Sequence, residues 1–199
     1  MRTDLTRRGL LLLSVAALGA TALPASALST SQAEALIDKV VARINTVINS
    51  GKSEQAMYGD FEDIFVQYGD LKFIAFKTLG PPARSASATQ MRAYTRAFQG
   101  YMARKYGKRF REFNGGQIIV RQARAVKSYF EVKTTAILQG LAPFDVSFFV
   151  SDKSGRDLFF DMRIAGVSLV NAEKEEIGAL WDRNGRNIDR LTDVLKTLG

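Results

Sequence analysis

The sequence predicts an α+β fold: a curved four-stranded sheet, antiparallel with a mixed arrangement as the alternative, wrapped by about six or seven helices. Three observations carry this. Apolar residues recur every three or four positions up to Phe113. After Gly115-Gly116 the spacing drops to two and holds through four segments. Beyond Gly166 it returns to three and four.

The first helix is expected over 31–50. Ser29, Thr30 and Ser31 offer N-caps, and Glu34 follows Ser31 by three as in a capping box. Leu36, Ile37, Val40, Val41, Ile44, Val47 and Ile48 form its apolar stripe, and Gly51 ends it. A second helix is expected from Ser53 to Gln67 around Phe61, Ile64 and Phe65. A short third runs from Asp70 to Leu79, stopped by Gly80-Pro81-Pro82. The longest helical stretch is 85–113. Met91, Tyr94, Phe98, Tyr101, Met102 and Tyr106 make its apolar stripe. Arg92, Arg96, Arg104, Lys105, Lys108, Arg109 and Arg111 fill much of the rest. Such a stripe packs into a core beneath a solvated basic face; it can also line a cavity whose basic rim meets a phosphate or a partner. Gly107 is placed to bend this helix or divide it in two.

Strands are expected over 117–126, 128–138, 143–151 and 157–165. Phe130, Val132, Thr134, Ala136 and Leu138 share one face of the second. Phe144, Val146, Phe148 and Val150 share one face of the third, against Asp145, Ser147 and Ser151. Leu158, Phe160, Met162 and Ile164 are expected inward on the fourth, with Asp161 and Arg163 outward. One strongly apolar face per strand predicts a sheet covered on one side. Two closing helices follow. One is capped by Asn171 and runs over 172–183 with Ile177, Leu180 and Trp181; the other covers 188–198 after Gly185.

Composition narrows the chemistry. The chain has 199 residues, 46% apolar and 24% charged, enough for one domain with a real core. It has neither histidine nor cysteine. That excludes Ser-His-Asp and Cys-His catalysis, a His/Cys zinc site and any disulfide. There is no Gly-rich phosphate loop and no calcium loop. No cofactor and no metal are expected; carboxylate chemistry alone survives.

The first 27 residues read as a secretory signal peptide. Arg7 and Arg8 precede the run Leu10–Leu13, and Ala25-Ser26-Ala27 supplies a small-residue cleavage site. "TRRGLLL" also approaches a twin-arginine signal, and the general export route is equally open. The expected domain is therefore 28–199. Removing residues 1–27 takes three Arg and one Asp, leaving 25 basic and 19 acidic residues and a net charge of +6. This balance favours anionic partners such as headgroups or acidic protein patches over nucleic acid, which an exported protein rarely meets; simple solubility is the plain alternative.

"DMRIAGVSLV", residues 161–170, resembles the motif of the toluene-tolerance, or MlaC-type, periplasmic phospholipid-shuttle proteins through Asp161, Gly166, Val167, Ser168 and Leu169. "YMARKYGKRFREFNGG" resembles the family's Tyr- and Arg-rich helix, and "DLKFIAFKTLG" its helix ending in Leu-Gly. "VKTTAIL" resembles its Val-x-Thr strand, and "NGRNIDRLTDVLKTL" its closing helix. The resemblance spans 31–198. The chain departs from the family at Pro81-Pro82-Ala83, at Leu158-Phe159 where a Trp is common, and at Ala172-Glu173-Lys174 and Ile177, where a partner would dock.

The resemblance implies a soluble, monomeric periplasmic carrier with an internal hydrophobic lipid cavity between sheet and helices. It would move phospholipid between an outer-membrane lipoprotein complex and the substrate-binding ring of an inner-membrane ABC transporter, maintaining outer-membrane lipid asymmetry. A polycyclic lipid such as a hopanoid is the alternative cargo. The candidate lipid wall is Phe98, Tyr101, Val132, Phe144, Val146, Phe148, Phe160, Met162 and Ile164, each of which taken singly reads more readily as plain core. Candidate headgroup residues are Arg84, Arg104, Arg109 and Lys133. Two other readings stay open. One is an enzyme on a cone-shaped scaffold with Asp145 or Asp161 as base. The other is a ligand-free adaptor joining membrane proteins through its basic helix.

Overall fold

The computed structural model describes residues 28–111 and 115–199. The expected signal peptide, and the last residues of the expected long helix, lie outside the described residues. Four helices come first: α1 Thr30–Ile48, α2 Glu54–Tyr68, α3 Leu71–Leu79 and, after a 3₁₀ turn at Pro81–Arg84, α4 Ala88–Arg111. The strands β1 Gln117–Val126, β2 Tyr129–Ile137, β3 Phe144–Ser151 and β4 Leu158–Ile164 follow, then a two-residue β5, Val167–Ser168. Helices α5 Leu169–Arg183 and α6 Ile188–Leu195 close the chain. The sheet is antiparallel throughout, in the order β1-β2-β3-β4-β5, one short strand more than expected.

Local chemistry moves several boundaries. The capping box of α1 is Ser29 with Gln32, not Ser31 with Glu34, because Gln32 N reaches Ser29 Oγ at 3.2 Å and Gln32 Oε1 returns to Ser29 N at 2.8 Å. α5 starts three residues earlier than Asn171 suggested. Ser168 is its N-cap, accepting from Asn171 N at 3.1 Å. Helix α4 is neither split nor stopped at Gly107. A side chain there would bring its Cβ within 2.5 Å of the Tyr58 ring, so glycine serves close approach of α2 to α4.

The register explains the largest departure. Val146 faces Ile164 and Phe148 faces Met162, but then Val150 faces Phe159, so β4 carries a bulge at Phe160. Opposed residues of an antiparallel pair share a face. Phe159 therefore joins Val150 on the inner face, where it is 4% exposed, and Phe160 turns outward. Leu158, opposite Ser151, is outward as well. The expected inward set of β4 is thus corrected to Phe159, Met162 and Ile164. A second bulge, at Arg121 of β1, bends the far side of the sheet.

Helix α1 lies across the inner face. Asn45 ties it to the edge strand like a strand residue. Its Nδ2 donates to the Ile118 carbonyl at 2.9 Å, and its Oδ1 accepts from Ile118 N at 2.8 Å. The other helices pack beside this layer around α4, whose stripe Tyr94, Phe98, Tyr101, Met102 and Tyr106 is buried.

Candidate functional site

An apolar chamber lies between α1 and the inner face of the sheet. Ile44 of α1, Ile118 of β1, Ala136 of β2, Phe144, Val146 and Phe148 of β3, and Met162 and Ile164 of β4 line it. No polar side chain is among them. The walls meet so closely that the enclosed cavity is about 20 Å³. Phe144 and Ile164 are only partly buried, so this is the chamber's open end. Leu141 in the loop before β3 and Val167 at the start of β5 lie beyond them, 62% and 63% exposed.

The turn at this end is built by the Gly166 motif. Ile164 pairs with Val167 across a two-residue loop in which Ala165 and Gly166 have φ of 48° and 85°. Two positive φ values define the tight hairpin turn that glycine makes easy. Asp161 locks it from outside. Its carboxylate accepts from Met162 N at 2.8 Å, Ser168 Oγ at 2.8 Å and Val170 N at 3.1 Å.

Of the expected wall residues, Phe144, Val146, Phe148, Met162 and Ile164 come together here. Val132 is fully buried on the same face, opposite Phe148. Three others are elsewhere. Phe160 packs on the outer face in a T-shaped contact with Phe73 at 5.7 Å and with Tyr129 at 5.6 Å. Phe98 and Tyr101 belong to the helical layer, and neither lines the chamber. Phe98 stacks on Tyr94 at 5.9 Å.

The expected headgroup cations are not gathered at one mouth, and none lines the chamber. Arg84 ends the 3₁₀ turn and is exposed. Arg104 holds the end of α6, donating to the Leu195 carbonyl at 2.6 Å and to the Leu198 carbonyl at 2.8 Å. Arg109 is exposed near the end of α4, and Lys133 is exposed on the outer face opposite Ser147.

Sequence reasoning missed Ile44, Ile118 and Ala136 as lining, although each lies on an apolar face. It also missed Glu173, which is wholly buried. Glu173 accepts from Tyr101 Oη at 3.0 Å, Tyr106 Oη at 2.6 Å and Lys105 Nζ at 2.7 Å, and Lys105 also pairs with Glu176. The signal was present: Leu169, Glu173, Ile177 and Leu180 share one stripe of α5, so the carboxylate sits at a core position. Burial and the nearby Glu173 charge push the Tyr101 and Tyr106 phenols well above their ordinary range. Burial by itself does most of the same to Tyr94. Among the described residues no cluster of acids fit to hold a metal ion occurs, and no helix is long and apolar enough to cross a membrane.

A family model described as MlaC protein matches residues 34–197. Among solved structures, a protein from Ralstonia solanacearum described as phospholipid-binding and determined with a phospholipid superposes with a TM-score of 0.70. It is 18% identical, and the match covers 82% of this chain and 94% of that one. At this identity the likeness speaks for the fold.

Proposed function

The chain belongs to the MlaC family, and from that premise we propose that it is a periplasmic carrier of phospholipid that holds acyl chains between α1 and the inner face of the sheet. The observation that carries this is the chamber: eight apolar side chains from one helix and four strands, with no polar group among them. The phospholipid held by the similarly folded protein from Ralstonia solanacearum supports the cargo class.

Magnitudes set how such a carrier works. Burying a methylene is worth about 0.8 kcal/mol, so two acyl chains with about thirty methylenes favour the chamber over water by about 20 kcal/mol gross. A bilayer offers similar burial. Release into water is therefore very slow, and transfer needs direct docking on a donor or acceptor. In the family's setting these are an outer-membrane lipoprotein complex and the substrate-binding ring of an inner-membrane ABC transporter. The cavity of about 20 Å³ has room for about one water-sized molecule, far less than an acyl chain needs. Cargo must part α1 from the sheet, and the weakly buried end at Phe144 and Ile164, beside exposed Leu141 and Val167, is where that parting starts.

Catalysis finds little support. Asp145 is on the outer face opposite Thr135, and Asp161 is engaged by three donors. The small chamber does fit the adaptor reading, in which the walls are plain core. One measurement separates the two. The protein is purified gently from cells, extracted with organic solvent and analysed by mass spectrometry. The carrier reading expects about one phospholipid per chain; a polycyclic lipid instead would change the cargo, and no stoichiometric amphiphile would leave the adaptor.

A further inference from the structure

The groove between α2, α3 and α4 has no part in the carrier reading. It encloses about 650 Å³. Val66, Phe76 and Met91 supply its apolar surface, and Lys72, Arg92 and Arg96 its charge. Val66 and Phe76 are 48% and 40% exposed, and they line the same groove as Met91, so their apolar surface is grouped rather than scattered. Among the described residues none of the three cations is in an ion pair; Arg92 donates only to Thr89 Oγ1, at 3.0 Å. No carboxylate lines the groove; Glu62, which accepts from Gln99 Nε2 at 2.7 Å, keeps its negative charge but is outnumbered by the three lining cations. Arg92 and Arg96 also face a second groove of about 530 Å³ on the other flank of α4, with Arg104 and Lys196, so the field stays positive across both.

We propose that the groove between α2, α3 and α4 is a docking site for an amphipathic helix of a partner protein whose apolar stripe is flanked by acidic residues. A helix laid in a groove presents side chains at i, i+3, i+4 and i+7 to an apolar floor, here Val66, Phe76 and Met91. Carboxylates on its flanks meet Lys72, Arg92 and Arg96, none of which is in an ion pair among the described residues. A bilayer surface offers the same charge, but it is flat and meets the ridges rather than the floor of a concave groove. A second copy of this chain carries the same excess of positive charge, +8 over the full sequence, and is repelled.

The test places the photo-crosslinking residue p-benzoylphenylalanine at Phe76 of the full chain, in the bacterium that makes it. After irradiation the adduct is identified by mass spectrometry. The expected adduct maps to a partner segment with an apolar helical stripe and acidic flanks. Its yield falls at least about tenfold when Arg92→Glu and Arg96→Glu are added, because each reversal turns attraction into repulsion. Val66→Ser, at an exposed position, gives the same direction of change if the double reversal fails to fold. An adduct to lipid alone, to this chain itself, or to a segment without acidic flanks overturns the proposal. So does a yield insensitive to charge reversal, or no adduct at all.

Discussion

Glu173 of α5, wholly buried, takes the Tyr106 hydroxyl of α4 at 2.6 Å, and through Tyr101 and Lys105 it fastens the closing helix to the longest one. Removing one partner of a buried ionic cluster leaves the others unpaired, which is costlier than never having built it. Glu173→Ala strands the two phenols and leaves Lys105 with Glu176 as its remaining carboxylate, and is expected to cost about 2–4 kcal/mol, the penalty of two buried donors left without an acceptor. Glu173→Gln keeps an acceptor and costs less, about 1–3 kcal/mol. Urea denaturation followed by circular dichroism measures both. A loss under about 1 kcal/mol for the alanine variant would show that the cluster closes over the gap or fills it with water.

The same cluster sets the alkaline limit. Tyr94, Tyr101 and Tyr106 have their phenols raised, chiefly by burial and then, for Tyr101 and Tyr106, by the Glu173 charge. In the unfolded chain they ionise near the ordinary value of about 10. A raised folded value gives stability that is full below that pH and is lost as pH climbs through the folded values. The protein is expected to unfold cooperatively above about pH 10, with three of its six tyrosines titrating only in that transition. Absorbance at the phenolate band, followed beside circular dichroism, checks this. Six independent titrations before unfolding would refute it.

Phe159 and Phe160 test the bulge. Phe159 packs on Phe65 at 6.1 Å and Phe148 at 5.8 Å within the core, while Phe160 meets rings on the half-open outer face. Phe159→Ala is expected to cost about 3–5 kcal/mol, as full burial dictates. Phe160→Ala should cost about 1–2 kcal/mol, nearer an ordinary partly exposed site. The reverse order in thermal melts would mean an unbroken alternation in β4.

That pair also marks how far the sequence could be read. Alternation in 128–138 and 143–151 placed Val132, Val146 and Phe148 inward correctly, because β2 and β3 pair without interruption. Alternation failed in 157–165 because period two carries no mark of an inserted residue. Phe159 and Phe160 are chemically identical, so only the partner strand's register tells them apart. The α4 stripe was legible as a stripe, yet its neighbours were not. Periodicity gives a face and not the element that covers it, so the stripe alone does not tell that Phe98 stacks on Tyr94 or that Tyr101 reaches Glu173 of α5. Basic residues carried still less information. Arg104 binds backbone carbonyls of the chain's own end, a role with no pattern in sequence.

Asp161 is the joint of the family motif, accepting from Ser168 Oγ and from the backbone of Met162 and Val170. Asp161→Ala leaves those donors without their acceptor where the chain leaves the sheet for α5. A loss of about 1–3 kcal/mol is expected. Ser168→Ala removes the N-cap and should cost about 1 kcal/mol. The two share one hydrogen bond, so the double variant should lose less than the sum. Strict additivity in denaturation midpoints would separate the cap from the carboxylate.

The carrier reading makes its sharpest demand at Ile164. Its side chain lines the chamber but is only partly buried, so a charge there can turn toward water and the fold should survive. Ile164→Glu is expected to cost about 1–2 kcal/mol of stability. A carboxylate set against acyl chains costs several times more than that when it stays dry. Lipid recovered per chain should therefore fall at least about tenfold, since 1.4 kcal/mol already corresponds to that factor. Lys133→Gln, at an exposed position on the outer face of β2, should leave lipid content unchanged and cost at most about 1 kcal/mol, through the lost attraction to Glu131. Lipid content measured by mass spectrometry on both variants decides the matter. If Ile164→Glu folds and carries its lipid undiminished, the acyl chains lie somewhere other than between α1 and the sheet.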